Sequence, residues 1–559
     1  MLRRIAVLFV TFTFIACSFG SEVATGTNGI VASVNDIATR AGIDAMKRGG
    51  NAVDAAVATA LTLGVVDGYN SGIGGGCFIL IRRSNGKFLA IDGREMAPAA
   101  ATHDMFIRNG KGDTELSQTG PLACGVPGAL AAYDLALRKA GKLSLRDHLL
   151  YAAQIADDGF QMDSGYAHTL QHTADDLKKF DGSRAVYFKA DGSAYQKGDL
   201  FRQSDLANTY RQVAKHGLKY FYGGPFAQAT ETWMKRNGGI MTVRDLSNYK
   251  SILREPISTM YRGYEVVSFP PPSSGGVHLL EMLNILETKD LKVLGAGTAD
   301  SLHLIAESMK LAFADRAFWL GDPDFVEVPR GLVSKDYAHK LAAKIDMQHT
   351  IKVEHGTPDD ASENVFRKHT THFSTADCEG NWVACTATVN TSFGSKVVIP
   401  GTGVVLNDEM DDFSVQPGVA NFFGLVGNEA NAVAPGKRPL SSMTPTIVLK
   451  DGNPMMSLGA AGGPTIISQT LLNIVNVLDF GMPLDKALAA PRIHQQWSPD
   501  ELRAEKSLST IAVDGLEERG HKFKFVSGLG VSQAVMRSQD GKSFVGAADP
   551  RAGGTARGW

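Results

Sequence analysis

The sequence predicts a mixed α+β protein that folds as one large unit, and three observations carry that expectation. Asp36–Lys47 has a helical pattern stopped by Gly49 and Gly50, an alanine-rich, closely packed helix follows over about Ala52–Gly64, and Pro121 to about Lys250 reads as mostly helical with polar loops. Against these stand strand-like runs. One is Phe78–Ile81; another begins at His369-Thr370-Thr371-His372-Phe373-Ser374, turns at Asp377-Cys378-Glu379-Gly380-Asn381 and returns through Trp382–Thr388 as a hairpin. No Pro-, Ser- or charge-rich linker divides the 559 residues, and 44% hydrophobic with 20% charged residues is ordinary globular composition.

At the start of the chain, Arg3 and Arg4 precede an uncharged apolar run, Ile5–Ala16, and then the small residues Cys17, Ser18 and Gly20. The run is too short to span a bilayer and has basic residues on one flank only, so residues 1–20 read as a signal peptide and the protein as periplasmic or secreted. Phe14-Ile15-Ala16-Cys17 also loosely resembles a lipoprotein cleavage box, which leaves lipid anchoring at Cys17 as a lesser alternative. No other window is apolar enough to span a membrane. A formal net charge of −2, without zinc-finger spacing or a basic helix, gives no reason to expect nucleic acid. The other cysteines, Cys77, Cys124, Cys378 and Cys385, are scattered rather than framework-spaced and read as unpaired.

Several local patterns have a plain structural reading. Ser71-Gly72-Ile73-Gly74-Gly75-Gly76-Cys77 fails the dinucleotide fingerprint, because Cys77 stands where its last glycine belongs, and no Lys-Ser/Thr makes a P-loop. Its glycines read instead as close backbone packing before a buried strand. His168 and His172, and likewise His303 and Glu307, are spaced for one helix face but lack a third ligand, so both pairs read as solvated faces, and no metal or cofactor is expected. Tyr261-Arg262-Gly263-Tyr264 into Phe269-Pro270-Pro271-Pro272-Ser273-Ser274 reads as a strand, a rigid turn and a helix start. Residues near Thr357 to Phe366 are polar and aperiodic, as an exposed loop would be.

Thr370 is the candidate nucleophile. A threonine that begins a strand can, if the chain is cut just before it, carry both a hydroxyl nucleophile and a free amine as its base. A Thr-Thr pair is ordinary in a strand; the motifs that follow it distinguish this one. They are Thr388-Val389-Asn390-Thr391, Asn407-Asp408-Glu409-Met410-Asp411-Asp412-Phe413-Ser414, Lys437-Arg438-Pro439-Leu440-Ser441-Ser442-Met443 and Gly459-Ala460-Ala461-Gly462-Gly463, in that order. With them, and with Ile91-Asp92-Gly93-Arg94-Glu95-Met96-Ala97-Pro98 upstream, nearly the whole chain resembles the γ-glutamyltranspeptidases (γ-glutamyltransferases, glutathione hydrolases), a family of N-terminal-nucleophile hydrolases.

The resemblance implies a four-layer αββα sandwich formed by a self-cleaved heterodimer, with residues 21–369 as the large subunit and 370–559 as the small, catalytic one. It implies that the Thr370 hydroxyl attacks the carbonyl of His369 and that water opens the resulting ester. The freed α-amine, with a reference pKa of about 7.7 to 8.0, can then serve as base and acid. It assigns support of the nucleophile to Thr388 and the oxyanion donors to Gly462 and Gly463. The substrate α-carboxylate falls to Arg94 with Ser441 and Ser442, and the α-ammonium to Glu409, Asp412 and Asn390. Pro417–Gly436 resembles a lid loop, but Phe423 stands where many bacterial relatives have a Tyr that bonds the position of Asn390. A lid without that hydroxyl is expected to open more readily and admit water. The implied partners are glutathione and other γ-glutamyl compounds as donors, with water, amino acids or peptides as acceptors.

Two alternatives remain open on sequence. A glutaryl-cephalosporin-type acylase on the same scaffold would take an acyl group without an α-amine, which Glu409 and Asp412 argue against. An unprocessed binding protein would be favoured by loss of Thr370, Thr388 or the Gly462-Gly463 pair, and all four are present. The Thr370 assignment makes a direct prediction: Thr370→Ala stays a single inactive chain, while Thr370→Ser still cleaves, more slowly. A denaturing gel with N-terminal sequencing of the smaller band reads this, and two fragments from the alanine variant would refute self-cleavage.

Overall fold

The computed structural model describes residues 23–359 and 372–559. The signal-peptide reading of residues 1–20, Cys17, and the cleavage pair His369 and Thr370 lie outside the described residues.

Two seven-stranded antiparallel sheets form the centre of the molecule. Numbering the strands of these sheets along the chain, they are β1 (Val23–Gly26), β2 (Gly29–Ser33), β3 (Gly76–Arg82), β4 (Phe88–Gly93), β5 (Ile252–Arg254), β6 (Ile257–Tyr261) and β7 (Tyr264–Ser268). They continue as β8 (Phe373–Asp377), β9 (Trp382–Thr388), β10 (Thr446–Lys450), β11 (Asn453–Ala461), β12 (Val531–Arg537), β13 (Phe544–Ala548) and β14 (Thr555–Gly558). One sheet runs β1-β13-β12-β11-β10-β7-β6, the other β14-β2-β8-β9-β3-β4-β5. Each mixes strands from both ends of the chain, so residues on either side of 370 share both sheets.

Period-two alternation decides what each strand face meets. In β3, Phe78 and Leu80 point between the sheets, where Phe78 stacks on Phe269 at 4.5 Å, while Cys77, Ile79 and Ile81 face helices. In β9, Trp382 and Ala384 face the partner sheet and Val383, Cys385 and Ala387 the helices. The helices on that side are α1 (Asp36–Lys47), α2 (Ala52–Val66), α3 (Ala129–Ala140) and α4 (Leu145–Asp158). The other sheet buries Val448 of β10 and Ala534 of β12 under α5 (Ser274–Leu286), α6 (Ala299–Trp319) and α7 (Thr465–Leu478). Helices, sheet, sheet and helices make the four-layer αββα sandwich that the sequence led one to expect.

Helix α1 has the expected bounds, with the Asn35 side chain accepting from the Ile37 N–H at 2.9 Å. Helix α2 runs past the expected stop at Gly64 to Val66. A Cβ on Gly64 would lie 2.8 Å from the Tyr210 hydroxyl, so this glycine serves close packing rather than termination. The expected strand at Tyr261–Tyr264 is a hairpin instead: Arg262 and Gly263 take positive φ and join β6 to β7. Cys77, Cys124 and Cys385 are buried thiols and Cys378 an exposed one, all unpaired as expected.

The glycine loop before β3 does what its sequence suggests. A Cβ on Gly74 would sit 1.9 Å from the Val405 carbonyl oxygen, and one on Gly75 1.8 Å from that of Thr388. The loop therefore packs directly on the end of β9, the strand that carries Thr388. Gly75→Ala is expected to lower stability by about 1–3 kcal/mol through overpacking and to displace Thr388. Chemical denaturation checks the first effect, and a wild-type midpoint would refute it.

Candidate active site

A cavity of about 820 Å³ opens at one end of the sandwich, lined by His372, Thr388, Asn390, Glu409, Asp412, Phe423, Ser441, Ser442, Gly462 and Gly463 among others. Residues from well-separated motifs thus converge on one space. The described chain resumes at His372, on the cavity wall. Its imidazole meets the Ser374 hydroxyl at 2.7 Å, and burial pushes it down to about 3, so it is neutral.

Thr388 closes β9. Its hydroxyl oxygen accepts from the Asn390 N–H at 2.7 Å, which leaves its own proton to donate elsewhere. Asn390 holds φ +77°, a left-handed conformation that Asn tolerates, and donates its carboxamide to the Asp408 carbonyl at 3.0 Å. Gly462 and Gly463 link β11 to α7 with φ +135° and +58°. Only glycine takes such values at low cost, and the turn leaves backbone N–H groups at the positive end of α7.

Ser441 and Ser442 are held from below. Ser441 donates its N–H to the Pro272 carbonyl at 2.9 Å, and its own carbonyl accepts from the Ser274 N–H and hydroxyl at 2.8 and 2.6 Å. Arg316 donates to the Ser274 hydroxyl at 2.9 Å and to the Ser442 hydroxyl at 3.3 Å. The rigid turn at Pro272, the helix start at Ser274 and Arg316 of α6 therefore touch the serine pair directly.

Arg94 departs from its expected grouping. It is fully buried beneath the cavity, and its guanidinium donates to Glu409, to Asp412 at 2.5 Å, and to the carbonyls of Pro439 and Leu440 at 3.3 and 3.1 Å. The expected division, with Arg94 at one end of the substrate and Glu409 and Asp412 at the other, gives way to one connected network. The reason is electrostatic: burial alone would depress the guanidinium, and the neighbouring carboxylates reverse that. Asp92 ties the network to the serine segment by accepting from Arg438 at 2.7 Å and from the Arg94 N–H at 3.0 Å.

Glu95 is the residue that sequence reasoning missed, because an Arg beside an acid usually marks a solvated pair. Here Glu95 is fully buried, with an oxygen 3.9 Å from Arg94 Nε. Burial pushes its carboxyl up to about 7 despite Arg94, and pushes Glu409 upward as well. Both Glu95 oxygens and Glu409 Oε2 lack an aligned donor. Carboxyls raised in this way hold their protons to higher pH, which lets Glu95 and Glu409, with the partly buried Asp412, surround one guanidinium.

The lid is held by contacts that do not need a hydroxyl at Phe423. The Phe423 ring lies against Gly463, where a Cβ would be 2.5 Å from it. The Phe422 N–H donates to Asp411 at 3.0 Å, Asn421 to Asp412 at 3.4 Å, and Gln496 to the Gly424 carbonyl at 2.9 Å. Packing on Gly463 and these hydrogen bonds are the lid's described contacts at its tip.

His303 and Glu307 are likewise no solvated face. Both are fully buried, and His521 joins them. The helix spacing gave no sign of burial, since the third residue lies more than two hundred positions away. His168 and His172 are exposed, as expected.

The family model described as gamma-glutamyltranspeptidase matches residues 38–559. The glutathione hydrolase proenzyme of Escherichia coli (strain K12) is 45% identical over 526 residues, covering 94% of this chain and 90% of its own. The crystal structure of cephalosporin acylase from Bacillus halodurans superposes with a TM-score of 0.88 at 30% identity, covering 99% of both chains. That of Helicobacter pylori gamma-glutamyltranspeptidase gives 0.55 at 40% identity, over 59% of this chain and 93% of that one.

The raised Glu95 carboxyl makes the site pH-sensitive. Because the folded state holds the Glu95 proton more tightly than the unfolded chain, stability from this group is full below its ordinary value of 4.5. It is lost as pH rises toward about 7. Glu95→Gln is expected to flatten the fall in Tm across that window, measured by calorimetry; an unchanged slope would place the proton elsewhere.

Proposed function

The chain belongs to the gamma-glutamyltranspeptidase family, and on that premise we propose how its precursor is cut and how its site works. Its activity is that of a γ-glutamyltransferase and glutathione hydrolase. The single observation that carries the assignment of residues is the convergence of Thr388, Asn390, Glu409, Asp412, Ser441, Ser442, Gly462 and Gly463 on one cavity, with His372 on its wall.

In this reading the precursor is cut between His369 and Thr370 after export, giving chains 21–369 and 370–559. The new α-amine of Thr370 takes the hydroxyl proton as the oxygen attacks the γ-glutamyl carbonyl, then returns it to the leaving amine. Thr388 donates its hydroxyl proton toward the nucleophile. The backbone N–H groups at Gly462 and Gly463 receive the oxyanion, worth about 2.7–4 kcal/mol per donor in comparable sites. Water or the amine of an amino acid or peptide then opens the acyl-enzyme.

At the far end of the substrate, the α-ammonium meets Glu409, Asp412 and the carboxamide of Asn390. The α-carboxylate meets the Ser441 and Ser442 hydroxyls, with the Arg94 charge behind them. An acylase acting on a glutaryl group would bring no second cation to a cluster in which Arg94 alone contacts both Glu409 and Asp412, which is the reason for preferring a γ-glutamyl donor. Among the described residues no helix is long and apolar enough to cross a membrane.

The test is charge removal at each end. Arg94→Lys and Asp412→Ala are expected to leave processing intact and to lower kcat/KM for a γ-glutamyl anilide at least tenfold, since truncating a buried hydrogen-bonded charge pair costs about 2–5 kcal/mol. Unchanged kcat/KM in both variants would mean that the pocket lies elsewhere.

A further inference from the structure

Outside the lining of the catalytic cavity, α6 carries His303 and Glu307 one helical turn apart, both fully buried. His521 reaches them from the segment before the strand Phe523–Val526, and the ligand atoms of the three lie within 4.8 Å of one another. We propose that His303, Glu307 and His521 form a binding site for a divalent d-block ion of the zinc type.

The hydrogen bonds select the ligand atoms. His303 Nε2 meets the Asp346 carbonyl oxygen at 2.7 Å; a carbonyl only accepts, so Nε2 carries the hydrogen and Nδ1 presents its lone pair. A histidine oriented by a backbone carbonyl on its other nitrogen is the usual arrangement behind a metal. His303 Nδ1 faces His521 Nε2 at 2.7 Å. Zinc–nitrogen bonds of about 2.0–2.1 Å at tetrahedral angles need these nitrogens roughly 3.3 Å apart, so the rings must part by about half an ångström. Glu307 Oε2 accepts from the Ile351 N–H at 3.1 Å, while Oε1 has no aligned donor.

Lys310 is the competing cation, its Nζ 3.1 Å from Glu307 Oε1. It also pairs with Asp500 at 3.1 Å and donates to the Ile351 carbonyl at 3.2 Å, so it keeps partners if Glu307 turns to an ion. Lys310, Ile351, Trp497 and Asp500 line an adjoining cavity that gives an entry path. Two imidazoles, one carboxylate and an open fourth position suit Zn²⁺. His303 and Glu307 precede Thr370 and His521 follows it. If the proposed cleavage holds, a bound ion also clamps the two chains together, but binding itself does not depend on that reading.

The experiment uses purified protein without a histidine tag, stripped with a chelator and titrated with Co²⁺ and then Zn²⁺. Expected are the visible absorption bands of four-coordinate Co²⁺ saturating at one ion per protein, their loss on adding Zn²⁺, and a Zn²⁺-dependent rise in Tm of several degrees. His521→Gln should abolish both signals, and Lys310→Met should tighten binding at least several-fold by removing the competing charge. If wild type shows neither the Co²⁺ bands nor the Tm rise, the cluster is only a buried His–His hydrogen bond. Bands that persist in His521→Gln would equally overturn the site. None of these readouts measures catalysis, so the outcome is independent of the proposed function.

Discussion

A guanidinium buried away from water is costly unless acceptors or carboxylates surround it, and Arg94 is the constraint on which this active site depends. Its charge needs Glu409 and Asp412 in contact, and those residues in turn line the cavity. Removing one partner of such a pair strands the other in a low-dielectric interior at a cost of about 3–5 kcal/mol. The pocket is therefore held in shape by the same charges proposed to read the substrate. Glu95 adds a third acid that one cation does not balance, and burial raises its carboxyl to about 7, which eases the excess.

That network is joined to the rest of the fold at few points. Asp92, near the end of β4, accepts from Arg254 and Arg438 as well as from the Arg94 backbone, so the sheet edge, the residue 437–442 segment and the Arg94 segment are tied together. The serine pair rests on α5 and Arg316, and the glycines proposed to hold the oxyanion, Gly462 and Gly463, lead into α7. Each functional group thus sits where a rigid element ends, which is the arrangement that preorganised electrostatic stabilisation requires.

The lid shows how one function can be met by different contacts. Phe423 cannot donate a hydrogen bond, yet its ring packs on Gly463, and Gln496, Asp411 and Asp412 hold the loop's backbone and Asn421. Asn421 and Gln496 lie seventy-five positions apart. A comparison of single residues along the chain sees the loss at Phe423, but the compensation becomes visible only in three dimensions.

The sequence by itself determined the helices and strands with strong periodicity, α1 and the β8–β9 hairpin among them, and the residues that gather at the cavity, because backbone pattern and motif chemistry are local properties. It also carried the reading of Gly74 and Gly75 as close-packing residues, since only the absence of a side chain allows a carbonyl so near. Tertiary structure alone decided which charges are buried. Arg94 and Glu95 look like a surface pair along the chain, and His303 and Glu307 like a solvated stripe on a helix. Their burial comes from segments far away in sequence, residues 409–412 over the first and His521 over the second. Desolvation depends on everything packed around a group, so no local pattern records it.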